Sequence, residues 1–245
     1  NIQFFTCNIN IMSDNEEEDF GDVNDDEEVI IDDDDDDDNF QLEDHYDEPQ
    51  SVFTEEKKKD DDNIMGDLIN RFNPKNGAAK RLIHDFYEMK KSDPKELGFS
   101  TEPKNNDIFN WEVRLFGFDE KSEMMKDMQK YKKKTGRDYV EMMVSFPPDY
   151  PNIPPFVRVV QPRFQMHTGR VTVGGSLCTD ILTMESWNPM YDIQSLMINI
   201  FAEINNGNPR IDFSNTTPYS LEEAKMAYLR VAGDHRWKTS SWLPR

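Results

Sequence analysis

Charge is spread so unevenly along this chain that it separates the part able to fold from the part that is not. Residues 12 to 62 carry 26 Asp and Glu against three lysines, a net of −23, whereas residues 63 to 245 hold 23 acids and 25 bases, a net of +2. A stretch so acidic and so poor in large apolar side chains buries too little surface to offset its ordering entropy, so residues 1–62 are expected to form a disordered acidic tail. The roughly 180 residues that follow suit one domain, expected over 63–245. The opening NIQFFTCNINI lacks the basic region and long apolar core of a signal peptide. Met12 reads as the true start, which puts residues 1–11, with Cys7, outside the natural product. No window reaches the roughly 18 to 20 apolar residues that span a bilayer. Two cysteines make no disulfide framework. These features point to a cytoplasmic or nuclear protein with no metal or cofactor.

Periodicity supplies the elements of the domain. Asn73, Pro74, Asn76 and Gly77 form a helix entry, and Leu82, Phe86 and Met89 then recur at helical spacing, which predicts a helix over 77–91 that Pro94 stops. Phe109, Trp111, Val113 and Leu115 alternate with polar residues, as do Val140, Met142, Val144 and Phe146, so these are two strands of a half-buried antiparallel sheet. Between them 121–134 reads as a helical insertion with Met124, Met128 and Tyr131 on one face and Gly136 as its stop. Six prolines from Pro147 to Pro162 exclude continuous helix there and leave only Phe156 to Val160 as a strand. Residues 161–191 read as a long, mostly irregular segment, a length that usually signals function. Asp192 caps a helix whose stripe of Ile193, Leu196, Met197, Ile200, Phe201 and Ile204 belongs in the core. Ser220 and Glu223 form a capping box for a last helix.

Cys178 closes the irregular segment, in VGGSLCTDIL. A lone cysteine between Leu177 and Ile181 is either a small buried hydrophobe or a nucleophile. Gly174 and Gly175 let another backbone approach closely, and Trp187 with Pro189 could wall a shallow groove. Lys130, Lys132, Lys133, Lys134 and Arg137 make a basic run, but no aromatic residues interleave it, so a solvated helix end is favoured over nucleic-acid binding.

Residues 78 to 205 resemble the catalytic domain of ubiquitin-conjugating enzymes. AAKRLIHDFYEMKKSDP is similar to the family's first helix, Trp111 to the tryptophan of its first strands, and FPPDYPNIPPFVRVV to its FP, YP and PP signature. VGGSLCTDIL resembles the surroundings of the family's thioester cysteine, and Trp187, Asn188 and Pro189 fall where the family has Trp, Ser and Pro. The phrases PPFVRVVQP and GGSLCTDILT, the insertion and the acidic leader look most like the divergent Q subfamily. The resemblance implies an α+β fold: a four-stranded antiparallel meander with an N-terminal helix, a central long helix and a C-terminal helix.

It also implies that Cys178 accepts ubiquitin as a thioester from the activating enzyme and passes it to a protein substrate, usually with a ligase. Lys80 and Arg81 match basic positions that contact the activating enzyme, the alternative being a solvated helix face. Tyr150, Pro151, Asn152 and Ile153, with Pro189 and Met190, match the two loops that dock a ligase, although Asn152 stands where many relatives have phenylalanine. The family's His-Pro-Asn motif is absent from QMHTGRVTVGGSLC. His167 stands one residue too far from the cysteine and no asparagine follows it, so backbone amides of Gly174 and Gly175 become the candidate oxyanion donors, with His167, Asn188 and Asp212 as helpers. A loop-packing role is the alternative for His167. Two rivals to the enzyme are a binding module of the same fold and a conjugating enzyme for another ubiquitin-like modifier. A third reading makes the acidic leader the active part, as a charge-based scaffold or histone-binding tail. In that leader Val29, Ile30 and Ile31 before seven aspartates are similar to a SUMO-interacting motif, against a plain solvated acidic run.

Overall fold

The computed structural model describes residues 55–245, with side chains described from Ile64 onward. The acidic run and the Val29–Ile31 motif lie outside the described residues. In chain order the elements are α1 (Glu55–Phe72), α2 (Gly77–Lys90), α3 (Pro94–Leu97), β1 (Phe99–Pro103), β2 (Asn110–Leu115), α4 (Glu123–Thr135), β3 (Val140–Ser145), β4 (Phe156–Gln161), α5 (Ile193–Asn206) and α6 (Leu221–His235). The four strands form one antiparallel meander in the order β1-β2-β3-β4. The register sets Trp111 opposite Val144 and Val144 opposite Val157, so one inward row crosses three strands.

The expected helices form for the expected local reasons. The Asn76 side chain accepts from the Ala79 amide at 2.9 Å and starts α2. Asp192 does the same for Ser195 at 2.7 Å in α5, and the Ser220–Glu223 capping box is complete in α6. Gly136 ends α4 at φ +78. The inward stripe of α5 and the α2 residues Leu82, Ile83 and Phe86 are buried against the sheet. Burying side chains of this size stabilises the fold by about 1.5–3 kcal/mol each.

Three elements depart from the pattern-based reading. α1 carries helical backbone from Glu55, eight residues into the stretch assigned to the tail. Its anchor is the spacing of Met65, Leu68 and Phe72, which pack on the core beside α2, a short apolar signal hidden by the surrounding charge. Pro94 begins α3 instead of merely stopping α2, because Asp93 caps it by accepting from the Lys95 amide at 2.9 Å and proline suits a first helical position. β1 has too few large apolar residues to announce itself; its pairing with β2, from Phe99 opposite Leu115 to Pro103 opposite Trp111, makes it a strand.

A chain of aromatic contacts runs from α1 through the core to the segment after Cys178. Phe72, Phe86, Trp111, Phe146, Tyr150, Trp187 and Tyr191 follow one another with ring centroids 5.1 to 6.5 Å apart. Pairs of this geometry add about 0.5–1.5 kcal/mol each beyond their burial.

Candidate active site

The segment before Cys178 is a tight hairpin docked on β4. Thr172 donates its amide to the Ser176 carbonyl at 2.9 Å, Gly175 donates to Thr172 at 2.9 Å, and Val171 bridges Leu177. This is a three-residue hairpin loop with its glycine in the left-handed region, Gly175 having φ +93. Val159 of β4 donates to the Gly175 carbonyl at 2.8 Å, and Arg158 bridges Ser176. The hairpin then runs into Cys178, whose amide donates to the Arg170 carbonyl at 2.7 Å. Cys178 is a reduced thiol with 8% of its surface exposed.

Close approach explains the glycine pair. A Cβ on Gly174 would lie 2.2 Å from the Glu223 carbonyl oxygen of α6, and one on Gly175 would lie 2.6 Å from the Tyr219 ring. The same geometry bears on the expected role of Gly175 as an oxyanion donor. The Gly175 amide is spent inside the turn, and the hairpin tip is three residues from Cys178, about 10 Å of extended chain.

Of the other expected helpers, Asn188 and Asp212 have their side chains engaged locally, and His167 lies in a turn fixed by its neighbours' backbone. His167 is exposed, with φ +63, in a turn tied to the chain after α5 by the Gln165 amide on the Arg210 carbonyl and the Gly169 amide on the Gly207 carbonyl. The Asn188 side chain accepts from the Met190 amide at 2.9 Å. Asp212 accepts from the Ser214 hydroxyl at 2.5 Å and from its amide at 2.8 Å, and these bonds hold its carboxyl below the ordinary value.

After Cys178 the chain makes a 3-10 turn at Asp180–Leu182, and the Trp187 amide then closes back on the Thr183 carbonyl at 3.0 Å. The Trp187 indole donates to the Pro151 carbonyl at 2.6 Å, joining the two expected ligase loops. Arg81 reaches the same region from α2. Its guanidinium meets both Asp85 oxygens at 2.9 and 3.0 Å and donates to the carbonyls of Pro189 at 3.3 Å and Tyr191 at 2.8 Å. Tyr150 donates to Asp85 at 3.3 Å. Burial pushes the Asp85 carboxyl above its ordinary value, outweighing Arg81 and Tyr150, and burial likewise pushes the Tyr150 phenol up.

Two expected contact residues therefore make their bonds within the domain. Arg81 is committed to the loops of its own domain, while Lys80 beside it is exposed. Tyr150 is 2% exposed and is a core ring. The outward part of the two loops is Asn152, Pro189 and Met190, the last 81% exposed, with Ile153 half-buried. Four residues of the basic run have contacts within the domain: Lys130 lies 3.8 Å from Asp127, Lys132 pairs with Asp138 at 2.8 Å, Lys134 lies over the Phe213 ring, and Arg137 bonds Gln161.

Sequence reasoning missed two neighbours of the cysteine. Arg170 is one, because its place opposite Cys178 follows from a hairpin read as irregular chain. The C-terminal segment is the other. The Met184 amide donates to the Lys238 carbonyl at 3.2 Å, and Trp242 and Leu243 line one small cavity with Leu177 and Leu182, which flank Cys178. Among the described residues no group of His, Cys, Asp and Glu could hold a metal ion, and no helix is long and apolar enough to cross a membrane.

The model of the family described as "Ubiquitin-conjugating enzyme" matches residues 81–234. Ubiquitin-conjugating enzyme E2 Q1 of Homo sapiens is 32% identical over 160 residues, which cover 64% of this chain and 37% of that protein. Ubiquitin-conjugating enzyme E2 25 of Caenorhabditis elegans is 31% identical over 162 residues, 64% of this chain and 41% of that protein. The chain thus matches well under half the length of these two relatives. The shorter Ubiquitin-conjugating enzyme E2 3 of Arabidopsis thaliana is 30% identical over 153 residues, 62% of this chain and 90% of that protein. Among solved structures, that of human ubiquitin-conjugating enzyme E2 G1 aligns with a TM-score of 0.42 at 24% identity, covering 53% of this chain and 96% of its own. With its family match over residues 81–234, the chain belongs to the ubiquitin-conjugating enzyme family and is most like its Q subfamily.

Proposed function

We propose that this chain carries ubiquitin as a thioester on Cys178 and transfers it to an acceptor on another protein. The observation that carries the reading is the position of Cys178, at the end of a hairpin docked on β4 and ahead of the turn and Trp187 that join the two loops, within a family-matched domain. The Cys178 thiolate attacks the carbonyl of ubiquitin's C-terminal thioester on the activating enzyme; a new S–C bond forms and the activating enzyme's thiolate leaves. An amine of the acceptor then attacks the same carbonyl, an amide bond forms, Cys178 leaves as thiolate, and the amine's proton passes to solvent. A thioester needs mainly positioning and stabilisation of the oxyanion, which a preorganised site supplies. Lys80 is the proposed contact for the activating enzyme, and Asn152, Pro189 and Met190 the proposed face for a ligase. Its location in the cytoplasm or nucleus and its choice of ubiquitin over a relative such as SUMO belong to the same proposal.

Incubation with activating enzyme, ATP and ubiquitin, SUMO or other modifiers tests it on non-reducing gels. Ubiquitin gives a thiol-sensitive adduct that Cys178→Ala abolishes and Cys178→Ser converts to a reductant-resistant ester. A folded wild-type chain that gains no adduct with any modifier overturns the enzyme in favour of a binding module.

A further inference from the structure

The residue across the hairpin from Cys178 is an arginine. The Cys178 amide bonds the Arg170 carbonyl at 2.7 Å and the adjacent Val171–Leu177 bridge fixes the register. The two Cα atoms are therefore one strand spacing apart, about 4.5–5.5 Å. An arginine side chain is long enough to span that gap. Arg170 also holds φ +54, within a turn where His167 and Gly169 are at +63 and +64. A non-glycine residue kept in this region is disfavoured, and such residues cluster at functional sites.

Charge makes the placement informative. No Lys or Arg occurs between Arg170 and Arg210, and the residues just beyond Cys178 add negative charge through Asp180 and Glu185. The charged or titratable groups on the adjoining segments are His167 before the hairpin, Asp180 after it, Glu203 on α5 and Arg158 on β4, whose guanidinium donates to the Tyr219 carbonyl at 3.2 Å, while Lys238 is paired to Glu185 at 3.4 Å. Arg170 rests near Glu203, its Nε 3.7 Å from Oε2, with the two side chains 29% and 40% exposed. That separation exceeds a hydrogen bond, and so open a pair holds a side chain weakly. A guanidinium stays protonated at any working pH and presents five N–H donors.

We propose that Arg170 is the cation of the reaction centre: it leaves Glu203 to favour the Cys178 thiolate and to donate to the oxyanion formed at the thioester carbonyl. The transfer half of this inference rests on the thioester reading of Cys178; the thiolate half does not. It also supplies a donor in place of the Gly175 amide, which is spent inside the turn.

The test uses the full chain with Cys7→Ser, so that Cys178 is the single thiol. The first readout is the rate of alkylation by iodoacetamide against pH; the second is discharge of charged protein to free lysine. Arg170→Gly removes the cation and suits a positive φ, so it keeps the turn; Arg170→Lys keeps the charge, and thermal melts confirm folding. Arg170→Gly moves the alkylation profile to higher pH and slows discharge by about 10²–10³-fold, the usual effect of losing an oxyanion donor. Arg170→Lys restores the profile in part. An Arg170→Gly protein with the wild-type profile and the wild-type discharge rate overturns the inference. A shifted profile in a chain that never charges would instead support the thiolate contact and sink the thioester reading.

Discussion

Arg210 donates to the buried carboxylate of Asp127 at 2.7 and 3.3 Å, and the Ile211 amide donates to the same carboxylate at 3.2 Å. Asp127 lies on α4, the helix inserted between β2 and β3, and it is 1% exposed. The insertion is therefore a brace that holds the chain leaving α5. Asp127→Ala leaves the Ile211 amide and the guanidinium without their acceptor, so it should lower Tm by several degrees and speed hydrogen exchange at residues 208–212. Asp127→Asn, which keeps an acceptor, should cost less.

Adjacent bases on α2 should behave differently. Arg81→Ala removes two hydrogen bonds to Asp85 on the same helix and two that link α2 to the segment after Trp187, so it should destabilise the domain in urea and loosen residues 187–191 in hydrogen exchange. Lys80→Ala should change stability by no more than about 0.5 kcal/mol, as exposed substitutions do. Charging kinetics then separate the two: slower charging of a Lys80→Ala protein with normal stability would place the contact with the activating enzyme on Lys80.

The glycines of the hairpin should not tolerate a methyl group. Gly174→Ala must displace the backbone of α6, and overpacking of this kind costs about 1–3 kcal/mol. Gly175→Ala adds strain at φ +93 and a clash with Tyr219. Gly66→Ala, with nothing within 4 Å and in the middle of α1, should instead stabilise by about 0.5–1 kcal/mol. Chemical denaturation of the three variants gives opposite signs if this account holds.

Asp85 sets a pH dependence of unusual sign for a carboxylate paired with arginine. Burial raises its pKa above the ordinary value of 3.8, so the folded chain keeps this proton at pH values where the unfolded chain has lost it. The contribution of Asp85 to stability is therefore full below the unfolded value and falls as pH rises through the raised folded value. The Tm difference between wild type and Asp85→Asn should shrink in favour of the variant across that weakly acidic window. A difference that instead grows with pH would mean that Arg81 outweighs burial.

Much of the architecture is legible along the chain because its causes are local. The Asn76, Asp192 and Ser220 caps lie within three residues of the amides they satisfy, and the stripe on α5 repeats within the helix. β2 and β3 alternate clearly, whereas β1 becomes a strand only through its partner, and α1 is masked by its charged neighbours. Cys178 is prominent in the sequence as the one cysteine after residue 7 and by its setting after two glycines.

The sequence by itself determined the charge division, the capped helices, the two alternating strands and the candidate thiol, all set by interactions between near neighbours. Only the tertiary structure decided which groups remain available for chemistry. Arg81 finds its carbonyls 108 and 110 residues away and Arg210 its carboxylate 83 away, so neither commitment is visible locally. The Gly175 amide is spent on a turn and Arg170 is set across from Cys178 by a hairpin whose register is held by docking on β4. A hydrogen-bonding group can serve a reaction only if the fold has not already used it, and that depends on which distant segments pack together.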